Sequence, residues 1–474
     1  MYDYDIVCIG SGPAGQRAAV QASKLGKRAA VVERRHSAGG VCIETGTIPS
    51  KTFREAVRSF MRLSASGADR AARVRPSMAE LAGRVTHVVQ RELEIVQDQL
   101  ERNDVAMLRG RAFFRDRHTL EIHSFEGVRT VTAENFLVCV GTVPAEPGDV
   151  LVDGETVMTS DAILDMDELP RSLAVIGGGV IGVEYASMFA NLGVKVTLVD
   201  RRPRPLEFLD GEIVDELIHQ MRCELVTLRC GEAVASIDVV ESPHKAGLIT
   251  LESGKHVVAQ KVLYSIGRVG ATADLGLENI GLSADSRGRL TVDGQFRTEA
   301  ENIYAAGDVI GFPALAATSS EQGRLASCHM FGIESEPMRD NFPVGIYSIP
   351  EISMVGATEE ELTRDKVPYE SGVARFREIA RGQILGDDSG LLKLLFHRDT
   401  RELLGIHCIG THATELIHVG QAVLTLGGGL DYFLSTVFNY PTLAECYKVA
   451  AYNAANKLRF AAQAAEAHGR RKVG

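Results

Sequence analysis

Two glycine turns of the same design constrain this chain more than any other feature. Ile6-Val7-Cys8-Ile9 is a short unbroken apolar run, the pattern of a parallel strand covered on both faces. Gly10-Ser11-Gly12-Pro13-Ala14-Gly15 follows, then Ala18, Ala19, Ala22 and Leu25 at helical spacing, then a second apolar run from Ala29 to Val32 that ends in Glu33. The spacing predicts a strand–helix–strand unit with the glycines in its first turn. Gly10 permits the tight turn, Gly12 lets a pyrophosphate reach the backbone, and Gly15 lets helix and strand pack closely. The helix start offers free N–H groups and the positive end of its dipole to phosphate. Glu33 is placed to accept hydrogen bonds from a ribose diol.

The pattern recurs. Leu173 to Ile176 reads as a strand, Gly177-Gly178-Gly179-Val180-Ile181-Gly182 as the turn and Glu184 to Leu192 as the helix; the next strand, Val194 to Val199, ends in Asp200. Glycine turns without ligands are common, but two complete units predict two dinucleotides, one in each of two doubly wound domains. That argues against a dehydrogenase with one cofactor. A third segment, Asn302-Ile303-Tyr304-Ala305-Ala306-Gly307-Asp308, reads as a buried strand ending in a glycine and a carboxylate. Alone it is a strand and a turn. Beside two nucleotide units it matches the second fingerprint of an FAD site, in which the Asp binds the ribitol chain. The expected organisation is a discontinuous FAD-binding domain (1–150 and 285–340), an NAD(P)-binding domain (151–284), an interface domain (341–460) and a flexible tail (461–474).

Composition removes several alternatives. The chain has 474 residues, 45% of them hydrophobic, enough to bury a core without disulfides or structural metals. Its 51 Lys and Arg stand against 62 Asp and Glu, a net charge of −11. No basic face is visible for displacing counterions, so nucleic acid is not expected as a partner. Arg470-Arg471-Lys472 reads as a solvated end. No apolar stretch reaches the roughly 18–20 residues that cross a bilayer. Met1-Tyr2-Asp3-Tyr4-Asp5 is acidic where a signal peptide would be basic, so a cytoplasmic location is expected. The eight cysteines include no CxxC pair, and His397, His407, His412 and His418 fit no zinc spacing, so no metal site is expected.

The segment Gly39-Gly40-Val41-Cys42-Ile43-Glu44-Thr45-Gly46-Thr47-Ile48-Pro49-Ser50-Lys51 resembles the GGxCxxxGCIPSK helix start of the pyridine nucleotide–disulfide oxidoreductases, the group of glutathione reductase and dihydrolipoyl dehydrogenase. The similarity covers nearly the whole chain, including Phe438-Asn439-Tyr440-Pro441-Thr442-Leu443-Ala444-Glu445. In that group the first motif supplies a cysteine pair, and a His-Pro-Thr-x-x-Glu segment of the partner subunit supplies the acid/base. Here Thr47 stands at the second cysteine and Tyr440 at the histidine. A hydroxyl forms no disulfide, and an unperturbed phenol, with a pKa of about 10, is a poor proton shuttle for thiols. Within the group this pattern is similar to the soluble, flavin-containing pyridine nucleotide transhydrogenases. Their GTIPSK and FNYPT segments look like those here, as do Gly307-Asp308-Val309-Ile310-Gly311-Phe312-Pro313 and Ile346-Tyr347-Ser348-Ile349-Pro350-Glu351.

The resemblance implies an α/β fold: two Rossmann-like doubly wound domains, for FAD and NAD(P), and a C-terminal α+β dimerisation domain. It implies that NADPH passes hydride to the flavin and leaves, and that NAD+ enters the same site and takes it back, a ping-pong sequence needing no thiol. FAD, NADP(H) and NAD(H) are the expected cofactors. The flavin side is assigned Gly10, Gly12, Gly15, Glu33, Cys42, Thr47, Lys51 and Asp308, with Gly141 and Gly267. Ala316 and Thr318 belong to it too, in a helix start aimed at the flavin. The nicotinamide nucleotide side is assigned Gly177, Gly179, Gly182, Asp200, Arg201 and Arg202. Asp200 favours the ribose diol of NAD, whereas Arg201, Arg202 and Arg204 crowd the same turn and suit the 2′-phosphate of NADP. Lys51 and Glu184 are the expected catalytic charges, joined by Tyr440 and Glu445 across a homodimer, and such enzymes can assemble further. Cys42 is expected to pack. A mixed sheet with helices is expected from Phe342 to Phe460, and helices with a loop near Arg75-Pro76 between Arg62 and Asn103. Two alternatives stay open: an NAD(P)H dehydrogenase passing electrons to quinones or dyes, and a non-catalytic nucleotide-sensing protein. A dithiol reductase is disfavoured by Thr47.

Overall fold

The computed structural model describes residues 1–65, 76–145, 150, 152–241 and 244–472. The chain runs β1 (Tyr4–Ile9), α1 (Pro13–Lys24), β2 (Ala29–Glu33), α2 (Gly40–Glu44), α3 (Thr47–Ala65), α4 (Met78–Glu101), β3 (Ala106–Arg109), β4 (Arg111–Asp116), β5 (Thr119–Ser124), β6 (Gly127–Val138), β7 (Thr142–Pro144) and β8 (Val157–Thr159). It continues through β9 (Ser172–Ile176), α5 (Val180–Asn191), β10 (Lys195–Asp200), α6 (Gly211–Cys223), β11 (Thr227–Cys230), β12 (Val234–Val240), β13 (Ala246–Leu251), β14 (His256–Ala259), β15 (Lys261–Tyr264), β16 (Arg268–Gly270), β17 (Ile303–Ala305) and α7 (Ala316–Met330). The last part holds β18 (Val344–Ile346), β19 (Ile352–Gly356), α8 (Glu359–Arg364), β20 (Tyr369–Arg375), α9 (Ala380–Leu385), β21 (Leu391–His397), β22 (Leu403–Ile409), α10 (Ala413–Thr425), α11 (Leu430–Ser435) and α12 (Glu445–Lys472).

Two compact units result. One is Met1–Leu169 with Tyr264–Met338, the other Pro170–Leu263 with Arg339–Gly474. The first unit is built on a sheet of order β3-β2-β1-β6-β5-β4, with β17 also paired to β6. β1, β2 and β3 pair in parallel, as do β1 with β6 and β6 with β17. Alternation along the strands separates two cores: Val7, Ile9, Val32 and Phe136 face one, and Ile6, Cys8, Val31 and Leu137 face the other. Small residues bring α7 hard against α1, since a Cβ on Gly323 would lie 2.1 Å from the Ala14 carbonyl oxygen. The chain rejoins this unit at Tyr264, not at 285 as expected. The reason is β16, which pairs antiparallel with β7 and so fastens Arg268–Gly270 to Thr142–Pro144.

The second unit contains a sheet of order β11-β10-β9-β15 in which β10 pairs in parallel with both β9 and β11, an antiparallel meander β12-β13-β14, and a sheet of order β18-β19-β22-β21-β20. That last sheet is antiparallel at every pairing, where a mixed sheet was expected. The β21–β22 link is too short for the crossover that a parallel pair requires. α10 stops at Thr425, and Gly427 leaves it with a φ of 68°. Residues 461–472, expected as a flexible tail, continue α12. Arg75 of the expected loop before α4 lies outside the described residues. Pro76 and Ser77 precede α4, which Ser77 and Glu80 close with a reciprocal capping box.

Candidate functional site

The first glycine turn has the sterics its sequence demands. Gly10 sits at φ 112°, where a Cβ would lie 2.4 Å from the Cys139 carbonyl oxygen, and a Cβ on Gly15 would lie 2.0 Å from the Gly10 oxygen. A Cβ on Gly12 would meet nothing within 4 Å, so this face of the turn is open. α1 then begins with Pro13 and without a side-chain cap, leaving its first N–H groups for a ligand. Glu33 is buried at 6% exposure. Its Oε2 accepts hydrogen bonds from Ser11 N at 3.1 Å and Ser11 Oγ at 2.5 Å, and its Oε1 accepts from Arg35 N at 2.8 Å. Ser11 Oγ in turn accepts from Gly39 N at 2.9 Å, which ties the glycine turn to the start of the Cys42 segment.

Cys42 lies in α2, and Thr47 opens α3 after a two-residue turn. Burial pushes the Cys42 thiol above its ordinary range, and the nearby Thr47 side chain offsets this only in part. Asp308 and Lys51 both act on the thiol, one carboxylate and one cation. The first unit therefore gathers Cys42, Thr47, Lys51 and Asp308. Lys51 Nζ donates to Ser50 Oγ at 3.3 Å. Burial raises the Asp308 carboxyl, opposed by Ser319 Oγ, which donates to Oδ1 at 3.3 Å. α7 starts at Ala316 with no side-chain cap, and Thr318 Oγ1 bonds back to the Leu315 carbonyl at 2.9 Å. Gly141 (φ 64°) and Gly267 (φ 130°) flank the β7–β16 ribbon, and a Cβ on either would meet nothing within 4 Å.

Sequence reasoning missed Arg268. Its Nε donates to Thr142 Oγ1 at 2.9 Å, its Nη2 to the Thr142 carbonyl at 3.0 Å and its Nη1 to Asp161 at 2.8 Å. Its charge also acts on Asp308. The one local hint is its place directly after Gly267; its partners lie more than 100 positions away in the chain.

The second turn repeats the first. Gly177 sits at φ 111°, α5 starts without a side-chain cap, and a Cβ on Gly179 would meet nothing within 4 Å. Gly182 is buried within α5. The difference lies at the acid. Asp200 accepts from Gly178 N, from Arg202 N at 2.7 Å and from the Arg202 guanidinium at 2.9 Å (Nε) and 2.7 Å (Nη2). Burial alone would raise this carboxyl, but Arg202 outweighs it and holds it below the usual range. Arg204 is engaged as well, with Asp215 at 2.5 Å and the Gly211 carbonyl at 2.9 Å. Arg201 is exposed and makes no ion pair among the described residues.

In the same unit Glu184 is buried on α5 at 3% exposure, and its Oε1 accepts from Tyr347 N at 2.8 Å. Ser187 Oγ, one turn on, accepts from Ile349 N at 3.0 Å. The Ile346–Glu351 segment, singled out in the sequence without a role, is thus a strap seated on α5. Its Glu351 carboxylate receives His412 N at 2.6 Å and Thr414 Oγ1 at 2.7 Å at the start of α10. Tyr440 is 69% exposed. Glu445 opens α12, and its Oε2 is buried without a hydrogen-bond partner among the described residues. Among those residues no group of three or more His, Cys, Asp and Glu is placed to hold a metal ion, and no helix is long and apolar enough to cross a membrane.

The chain is similar to known proteins along nearly its whole length. The family model described as pyridine nucleotide-disulphide oxidoreductase matches residues 4–323, and the dimerisation domain of the same family matches residues 342–451. The chain is 50% identical over 465 residues to a soluble pyridine nucleotide transhydrogenase of Mycobacterium bovis, covering 97% of this chain and 98% of that one. It is 44% identical to the Klebsiella pneumoniae protein of the same name, covering 96% and 99%. Among solved structures, LpdA of Mycobacterium tuberculosis superposes with a TM-score of 0.86 at 27% identity, over 94% of this chain and 98% of that one. The HOCl-induced flavoprotein disulfide reductase RclA of Escherichia coli gives the same TM-score and identity over 95% and 99%. With its two Rossmann-like sheets and its C-terminal dimerisation domain, the chain belongs to the pyridine nucleotide–disulphide oxidoreductase family.

Proposed function

We infer that this chain catalyses reversible hydride transfer between NADPH and NAD+, as an FAD-dependent transhydrogenase without a redox disulfide. One observation carries the reading: Thr47 stands beside the Cys42 thiol where a second sulfur would complete a dithiol, while each of the two glycine turns keeps an open face, at Gly12 and at Gly179. The chain fits FAD. The open face at Gly12, the uncapped start of α1 and the buried Glu33 suit an adenosine pyrophosphate. Asp308 and the uncapped start of α7 suit the ribitol and the ring. When bound, FAD supplies the group that accepts hydride from one nicotinamide and returns it to another.

The protein's part is to bind, orient and hold charge. Lys51 supplies a cation on the flavin side, an electrostatic role toward negative charge that develops during reduction. Glu184 positions the Tyr347 strap by holding its amide. Burial disfavours the thiolate of Cys42, so that side chain offers no sulfur nucleophile to divert the electrons. The second glycine turn receives NADP(H) and NAD(H) in alternation, which makes the kinetics ping-pong. Tyr440 and Glu445 belong to a homodimer contact, supported by the dimerisation-domain match, and a cytoplasmic location agrees with the substrates.

The test is anaerobic. NADPH should bleach the purified yellow protein, and added NAD+ should restore the oxidised spectrum with release of NADH. If NAD+ leaves the protein bleached and a quinone restores it, the reading gives way to a quinone reductase.

A further inference from the structure

The acids that end β2 and β10 hold equivalent places but are covered differently. Glu33 receives three donors, all from Ser11 or a backbone N–H, while the guanidinium of the neighbouring Arg35 turns away to Glu44. Asp200 receives four: Gly178 N, Arg202 N and two guanidinium nitrogens of Arg202. A carboxylate offers about four acceptor positions. All of them are taken at Asp200, two by a cation.

We propose that Arg202 is the counter-ion of Asp200, making the ribose subsite of the second glycine turn neutral and therefore open to nucleotides with or without a 2′-phosphate, and that the exposed Arg201 meets that phosphate. The proposal rests on the reading that both nucleotides use this site. A bare buried carboxylate would repel the 2′-phosphate. Paired in a fork by Arg202, it presents no net charge. The Asp200 side chain is 4% exposed but the Arg202 side chain is 36% exposed, so the guanidinium can turn outward to water and leave two acceptor positions for a ribose diol. Gly178 makes the arrangement possible, because a Cβ there would lie 3.0 Å from Asp200 Oδ2. The usual division of labour, acid for NAD and arginine for NADP, is here a single side-chain pair with two states.

The test is calorimetric titration of the oxidised holoenzyme with NADP+ and with NAD+ separately, read as the ratio of their dissociation constants. Arg202→Gln uncovers Asp200, so NADP+ should weaken relative to NAD+ by about tenfold or more, the size of one charged interaction. Asp200→Asn with Arg202→Gln restores neutrality, and its ratio should return to within about threefold of the native value. Arg201→Gln should weaken NADP+ alone. An Arg202→Gln ratio equal to the native one overturns the proposal. So does a double variant that keeps the full loss of NADP+ affinity, because Arg202 would then be a direct phosphate ligand. Should Arg202→Gln fail to fold, Asp200→Asn alone decides: its released guanidinium should favour NADP+ by about tenfold, and an unchanged ratio overturns the proposal. These titrations need no second substrate, so they fail or succeed independently of whether hydride reaches NAD+.

Discussion

Lys393 Nζ lies 2.8 Å from Asp210 Oδ1, and neither side chain is exposed to solvent. The lysine stands in the middle of β21; the aspartate caps α6 through Glu212 N. Glu359 Oε2 at 2.5 Å and Glu212 Oε2 at 3.3 Å complete a ring of three carboxylates around one cation. The ring fastens the start of α6 to the antiparallel sheet, both inside the second unit. Burial would lower the lysine, but Asp210 and Glu359 raise it above its ordinary value and keep it charged. Lys393→Met keeps most of the volume and strands Asp210 without its cation. Removing one partner of a buried pair costs about 3–5 kcal/mol. Urea unfolding followed by circular dichroism should show a loss of that size; a loss below about 1 kcal/mol would mean the ring behaves as a surface pair.

His407 is the cross-strand neighbour of Lys393 and gives the same region an acid limit. Its Nε2 lies 2.9 Å from the Ala357 carbonyl, and its Nδ1 is buried without a partner among the described residues. Burial lowers its pKa, with Lys393 pushing the same way and Asp210, Glu360 and the Ala357 carbonyl opposing. The fold therefore holds the neutral ring. Its contribution to stability is complete above the unfolded value of about 6.5 and is lost as pH falls through and below it. The lowered Asp210 carboxyl acts elsewhere, below its unfolded value of 3.8. Between about pH 7 and 5.5 the melting temperature of the native chain should drop more than that of His407→Gln. Equal drops would exclude His407 as the group that titrates.

The two nucleotide units were legible because their requirements are local. A positive φ at Gly10 and the crowding at Gly15 leave glycine as the only residue that fits. That no second cysteine stands at position 47 was legible from the sequence alone. The covering of Asp200 was not, since Asp200 and Arg202 were both read as ligands of a nucleotide and only packing decides that they bind each other. The return of the chain at Tyr264 was hidden for a similar reason: the β7–β16 ribbon joins segments about 126 positions apart, with no periodic pattern to announce it. Lys393 did carry a signal, a single cation inside Leu391-Leu392-Lys393-Leu394-Leu395-Phe396, the pattern of a buried and paired charge.

The glycines of the first turn should separate fold from cofactor. Gly15→Ala places a methyl 2.0 Å from the Gly10 carbonyl oxygen, a contact that only backbone movement relieves, so the variant should lose stability before any ligand is considered. Gly12→Val adds its side chain to open space and should leave the fold intact while blocking the approach of a pyrophosphate. The expected result is a folded but colourless Gly12→Val protein, judged by circular dichroism and flavin absorbance. A yellow Gly12→Val protein with native FAD content would remove this turn from the flavin site.

Thr47→Cys should restore a sulfur outlet. The turn between α2 and α3 already brings residue 47 near the Cys42 thiol, and the amides of Thr45 and Gly46 fix its path by donating to the Val41 carbonyl at 3.2 and 2.6 Å. A second thiol there can close a disulfide with Cys42, a couple that takes up two electrons and two protons when it is reduced to the dithiol. Anaerobic titration with NADPH should then consume about one equivalent per flavin in the native protein and about two in the variant, because each NADPH delivers two electrons. Cys42→Ser combined with Thr47→Cys should return the count to one. Transhydrogenation by the oxidised variant should slow, since the new pair competes for the same electrons. A variant that still takes one equivalent, with both thiols free after oxidation, would show that the turn holds the two side chains near each other without the geometry a disulfide needs.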